Sequence, residues 1–141
     1  MTKTFVFIDN TNEFYKLPKN LINSSEAKIF SFNIIIHKFL EDKKIEHEIA
    51  ESYLSKEDYF KIFDTTVSLW EWHKSKSIDN EFQYEGVNIL GLLDTGEFHH
   101  FLIGELYNFF IIKRVIEKEK PDKIFANNQF KNIISELTNK N

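Results

Sequence analysis

Residues 84–125 read YEGVNILGLLDTGEFHHFLIGELYNFFIIKRVIEKEKPDKIF, and their pattern is that of an α/β protein. Gly86, Gly91 and Gly96 punctuate a lead-in at every fifth residue. From Glu97 a long run follows that is apolar nearly all round between Phe98 and Ile112. The expected element is a helix over residues 97–119, about 35 Å long at 1.5 Å per residue. Such a helix should be buried on more than one side. Gly104 inside it costs about 1 kcal/mol against alanine unless a neighbouring element packs close. Lys113, Arg114, Lys118 and Lys120 suit the negative end of the helix dipole. Pro121 stops the helix, Lys120-Pro121-Asp122 makes the turn, and residues 124–126 read as a buried strand.

Working toward the N-terminus, the same alternation repeats. Residues 4–8 (TFVFI) form a continuous apolar run, as in a parallel strand covered on both faces. Asp9, Asn10 and Thr11 follow at its carboxyl end. Residues 12–23 are weakly helical and divided by Pro18, so residues 17–22 give one helical turn or a loop. A second strand is expected at 27–32 and a helix at 34–44, split from it by Asn33 as a helix cap. Residues 46–53 (EHEIAESY) read as a third, partly exposed strand. Ser55 opens a helix with a capping box closed by Asp58. Its apolar face carries Tyr59, Ile62, Phe63, Thr66, Val67 and Trp70 and runs to about His73, before a polar loop at 75–81. Toward the C-terminus, residues 129–138 form a last helix on Phe130, Ile133, Ile134 and Leu137. Strands alternating with helices predict a three-layer, Rossmann-like parallel sheet with helices on both faces, in a single domain over residues 1–141.

Composition narrows the function classes. The chain has 141 residues, a net charge of -4 and no cysteine. Acids and bases are interleaved, with no basic stripe to follow a phosphate backbone, so nucleic acid is not an expected partner. Without cysteine there is no disulfide, thiolate metal site or thiol nucleophile, which fits a reducing compartment. The N-terminal apolar run is too short for a signal peptide and no run reaches the ~20 residues of a membrane span. The expectation is a cytoplasmic protein.

Chemistry-bearing positions are few. Asp9, Asn10 and Asn33 follow strands, and open α/β sheets bind ligands beyond the carboxyl ends of their strands; the same residues also cap helices and make turns. His99 and His100 are adjacent, so on a helix their rings point about 100° apart and do not share a ligand. One is expected in the core with a hydrogen bond and the other in solvent. The glycines at 86, 91 and 96 match no dinucleotide or phosphate-loop pattern. Trp70, Trp72 and Tyr84 offer aromatic surface that suits a sugar or a core. No cofactor and no metal site is expected, and no Ser-His-Asp arrangement can be read.

The lead-in YEGVN, the acidic start of the aromatic helix and the IIKRVIEKEKPDKI turn into a strand together resemble the N-terminal region of GT-B-type glycosyltransferases of bacterial and archaeal surface polysaccharide synthesis. The order of the KIFSFN strand, the HKFL helix, the IEHEI strand and the YLSKED helix start agrees, so the resemblance covers most of the chain. It implies a Rossmann-like acceptor-side domain, a sugar or lipid-linked acceptor, and a second nucleotide-sugar-binding domain or chain for activity. It further implies a place on the inner face of the membrane, as a peripheral protein. Candidate acceptor-binding residues are Asp9, Asn10 and Asn33 by their place after strands, and, as the positions that match the resemblance, Glu85, Gly86 and Asn88 of the lead-in and Glu97 at the acidic helix start. The chain departs from the family in lacking a Gly-rich loop after the first strand, where Asp9-Asn10-Thr11-Asn12 stands instead. A non-catalytic protein-interaction domain of α/β fold, with the fifteen phenylalanines serving an interface to a second copy or to a tight protein partner, is the competing expectation.

Overall fold

The computed structural model describes residues 2–22, 27–69, 83–88 and 95–138. In chain order these form β1 (Thr4–Ile8), α1 (Thr11–Lys16), α2 (Lys19–Ile22), β2 (Ala27–Ser31), α3 (Ile34–Asp42), β3 (Glu48–Ile49), a 3-10 turn (Ala50–Tyr53) and α4 (Lys56–Ser68). Then come β4 (Gln83–Tyr84), β5 (Val87–Asn88), α5 (Thr95–Glu119), β6 (Lys123–Phe125) and α6 (Asn128–Thr138). The chain divides into two compact units, Met1–Leu54 with Asn108–Asn141, and Ser55–Tyr107.

The first unit holds a four-stranded sheet in the order β3-β2-β1-β6. All its pairings are parallel: Val6 lies against Ile29 and Phe125, Phe7 against Phe30, and Phe30 against Glu48. Register sorts the side chains by face, because alternate residues of a strand point to opposite sides. One face is aliphatic. Val6, Ile8 and Ile29 pack there with Phe14, Ile36 and Leu40 from α1 and α3, and Leu21 and Ile22 of α2 close the edge. The other face is aromatic. Phe30 touches Phe5, Phe7 and Tyr53, while Phe130 of α6 stacks on Phe32 at 4.4 Å. Helices therefore cover both faces of an all-parallel sheet, as the α/β reading requires. Buried Ile111, Ile112 and Val115 are the best-covered part of α5.

In the second unit, α4 begins with the expected capping box. Ser55 Oγ accepts from the Asp58 backbone N–H, and Asp58 accepts from the Ser55 N–H at 3.0 Å, which satisfies a wholly buried carboxylate. Inside this unit α4 packs on the first half of α5: His99 Nε2 donates to the Thr66 carbonyl at 3.1 Å and Tyr59 meets Tyr107 edge-on at 5.6 Å. Strands β4 and β5 form a two-residue hairpin, with Glu85 and Gly86 both left-handed (φ 50° and 80°), the backbone of a type I′ turn.

Three expectations give way. The strand expected over 46–53 is only Glu48–Ile49 and then tightens into a 3-10 turn. Ser52 Oγ donates to the Ile49 carbonyl at 2.7 Å, a local bond that competes with strand pairing. The expected apolar face of α4 is only partly covered: Ile62 and Thr66 are buried, but Phe63 and Val67 are 64% and 53% exposed. Likewise α5 is not buried all round, since Phe101 is 64% exposed. Trp70, Trp72, His73, Gly91 and the loop at 75–81 lie outside the described residues.

Candidate functional site

The crest of the sheet is built by one repeated local event. After each of β1, β2 and β6 an asparagine leaves the strand and caps the next helix. Asn10 Oδ1 accepts from the Glu13 N–H at 3.0 Å, Asn33 Oδ1 from the Ile36 N–H at 2.9 Å, and Asn127 Oδ1 from the Phe130 N–H at 2.7 Å. Each cap satisfies one of the otherwise unpaired N–H groups of a helix start. Each side-chain amide then has hydrogens to spare, and all three are spent on one residue. Asn10 donates to Asp9 Oδ1 at 2.7 Å, Asn127 to Asp9 Oδ2 at 2.7 Å, and Asn33 to the Asp9 carbonyl at 2.6 Å.

Asp9 thus ties together the starts of α1, α3 and α6. The strand order puts this knot where β1 and β6 lie side by side and their following helices leave to opposite faces, α1 to the aliphatic face and α6 to the aromatic one. Such a switch point is where open α/β sheets open a crevice for ligands. A carboxylate offers about four lone-pair sites; the two asparagine amides take two of them. The remaining positions, with exposed Asn10 and Asn33 beside them, suit a ligand rich in hydroxyl groups, which both donate and accept.

Asp9, Asn10 and Asn33 are brought together, and Asn127 is a member that the sequence reading did not single out. Its signal was present, since Asn127 follows β6 as Asn33 follows β2. Glu85, Gly86, Asn88 and Glu97 belong to the other compact unit: the first two form the hairpin turn, Asn88 ends β5, and Glu97 is in the first turn of α5. Tyr84 is 65% exposed on the hairpin. His99 is buried and His100 exposed, the division expected of adjacent helical residues.

A second polar feature lies at the opposite, amino edge of the sheet. A cavity of about 670 Å³ is walled there by Lys3, Lys28, His47, Glu48 and Glu119 among others. Lys28 Nζ reaches Glu48 at 2.8 Å, Glu119 at 3.2 Å and the Tyr53 hydroxyl at 3.3 Å. Tyr53 Oη stands 2.6 Å from Glu48 and 2.7 Å from Glu119. Its single hydrogen serves one carboxylate at a time. Burial opposes the charge on Lys28, but the bonds to Glu48, Tyr53 and Glu119 outweigh it and hold the ammonium above its ordinary range. Burial, then the two carboxylates, pushes the Tyr53 phenol up. Burial works against the Glu48 carboxylate, yet Lys28 and Tyr53 bring it below its usual value; for Glu119 the Tyr53 hydrogen bond is the main cause of the same shift. The network braces β2 and β3 against the end of α5.

Among the described residues no group of three or more His, Cys, Asp or Glu is arranged to hold a metal ion, and no helix is long and apolar enough to cross a membrane. No family model, curated protein or solved structure matches the chain.

Proposed function

We propose that the chain is the acceptor-side, Rossmann-like module of a glycosyltransferase-like protein of surface polysaccharide assembly, and that a sugar-bearing acceptor docks over Asp9. Transfer then needs a nucleotide-sugar-binding domain or chain opposite this crest. The module works in the cytoplasm, peripheral to the inner membrane face. Support comes from one observation above all: Asp9, Asn10, Asn33 and Asn127 converge at the switch point of a parallel sheet. Fold alone names no substrate. The polar chemistry of the crest and the sequence resemblance supply the sugar.

The test is a titration of the full chain, followed by amide chemical shifts, with free hexoses, N-acetylhexosamines and a uridine diphosphate sugar. The monosaccharides should shift residues around 9–11, 33–35 and 126–128 with a Kd in about the millimolar range, and Asp9→Ala should abolish those shifts. The nucleotide sugar should add nothing to the sugar's own effect, and the chain alone should transfer no sugar. Shifts confined to other regions, or none at all, would sink the reading.

A second reading is favoured by a different observation. In the Ser55–Tyr107 unit an apolar groove of about 300 Å³ is lined by Ile62, Phe63, Val67, His99 and Ile103. An interaction module that pairs with a second copy of itself through this groove predicts a scattering mass of twice 16.9 kDa. A monomer by light scattering at high concentration excludes it.

A further inference from the structure

The outer surface of α1 and α3 carries large apolar side chains that stand in solvent. Ile34 and Ile35 open α3 directly after Asn33, and they are 63% and 71% exposed. Tyr15 of α1 is 66% exposed and meets the ring of half-buried Phe39 edge-on at 5.9 Å. Helical spacing explains the arrangement. Ile36 and Leu40 are the buried side of α3, so Ile34, Ile35 and Lys38 turn outward on the opposite side. Lysines frame this surface. Lys43 lies over the rings of Phe14, Tyr15 and Phe39, nearest to Phe39 at 5.0 Å. Lys19 and Lys38 are exposed and make no salt bridge among the described residues. Helices α1 to α3, with Lys43 and Lys44 just past the last of them, hold five lysines against three acids, in a chain whose net charge is -4. Of those acids, Glu13 is taken up by Lys16 at 3.4 Å and Glu41 faces His37 at 3.5 Å. Asp42, one turn past Lys38 and exposed, bounds the patch on the side away from the crest.

We propose that this surface rests on a bilayer containing anionic lipid, with Ile34, Ile35 and Tyr15 in the headgroup layer and Lys16, Lys19, Lys38 and Lys43 against the lipid phosphates. The inference builds on the reading of the crest as an acceptor site. Ile34 and Ile35 adjoin Asn33, so the contact brings Asp9 to the bilayer surface, where a lipid-linked sugar is presented. The composition of the patch favours a bilayer over a protein. The core of a protein interface is depleted of lysine. At a membrane surface a lysine keeps its stem along apolar groups and its ammonium among phosphates. Tyrosine suits the same layer, with an apolar ring and a polar tip. An anionic leaflet makes each lysine near it worth about fivefold in binding. The acidic remainder of the chain is repelled by the same leaflet, which selects this face.

The experiment is sedimentation of the full chain with vesicles, with no sugar present. Vesicles of phosphatidylcholine with about one third phosphatidylglycerol should bind the chain at least about tenfold more tightly than phosphatidylcholine alone, and added salt should release it. Ile34→Ser with Ile35→Ser, and separately Lys19→Glu with Lys38→Glu, should each weaken binding about tenfold or more, while Phe63→Ser in the other unit should not. In bicelles of the same lipids bearing a nitroxide headgroup, the amide signals of Tyr15, Ile34, Ile35 and Lys38 should broaden most in the unaltered chain, and those of residues 130–138 least. That measurement needs no substitution, so it decides the matter even if a variant unfolds. A chain left in the supernatant, whether alone or as a dimer, overturns the inference, as does broadening centred on another surface or undiminished binding by the paired variants. The sugar titration contains no lipid, so the two readings fail separately. Vesicle binding without sugar shifts at the crest removes the acceptor reading and leaves this surface, and sugar shifts without vesicle binding do the reverse.

Discussion

Asp9 shows how a single side chain can be both structural and available. Its two carboxylate oxygens hold the amides of Asn10 and Asn127, and its carbonyl holds Asn33. Asp9→Ala removes two of these three acceptors, and half-exposed amides then turn to water. The expected cost is about 1–2 kcal/mol, read as a lower urea midpoint with an unchanged slope. Asp9→Asn should cost less, because one amide oxygen still accepts. Of this cluster, Asp9, Asn10 and Asn33 were legible because they stand at the carboxyl ends of apolar runs, a position that speaks for itself in a parallel sheet. Asn127 was hidden by a boundary: a last helix read from Gln129 leaves its cap among the loop residues. The Lys28–Tyr53–Glu119 contacts were not legible at all, since residues 66 positions apart meet only once the sheet order is known.

At the scale of elements, helix ends and glycines carry the clearest expectations. Lys44 sits just past the end of α3 with φ 56°. Its N–H donates to the Glu41 carbonyl at 2.8 Å and the Ile45 N–H to the Leu40 carbonyl at 2.9 Å, the paired bonds of a left-handed helix cap. A lysine there is strained, so Lys44→Gly should stabilise the chain by about 1 kcal/mol. With no glycine to mark the end, the sequence pattern carries this helix two residues beyond Asp42. Gly104 presents the opposite case. Among the described residues nothing lies within 4 Å of a Cβ built at Gly104, so none of them requires glycine there by close approach. Gly104→Ala should raise stability by about 0.5–1 kcal/mol through helix propensity. Thermal melts of the two variants check both figures, and a destabilised Gly104→Ala would mean that something covers that face. The existence of α4 and α5 was legible from caps and periodicity. Their burial was not, because an apolar stripe such as Tyr59, Phe63 and Val67 shows that a face is apolar without showing what lies on it.

Over the whole chain, parallel pairing was implied by alternating strands and helices, while the order β3-β2-β1-β6 was not. Apolar runs state that a strand is buried but not beside which neighbour. That order creates two polar edges, and the amino edge makes the protein's stability depend on pH. Glu48 and Glu119 have lowered values in the folded chain, so their contribution is present above the ordinary carboxylate range and is lost as pH falls through the folded values. Lys28 and Tyr53 have raised values, so theirs is complete below the ordinary lysine and tyrosine ranges and is lost only in strong alkali. The network is therefore fully formed from about pH 5 to pH 10. Lys28→Met leaves both carboxylates without their cation. With Lys28 and Glu48 side chains 32% and 44% exposed, solvent screens the pair, and the expected loss at pH 7 is about 1 kcal/mol. As pH falls below the ordinary carboxylate range, the carboxylates of the variant take up protons before those of the wild type, and the gap should narrow as pH moves down through the lowered wild-type values. Urea midpoints for the two chains at pH 7 and pH 3.5 measure this. An equal gap at both values would show that Lys28 acts through packing on Phe30 and Tyr53, over whose rings its ammonium lies at 5.4 and 6.0 Å, and not through charge.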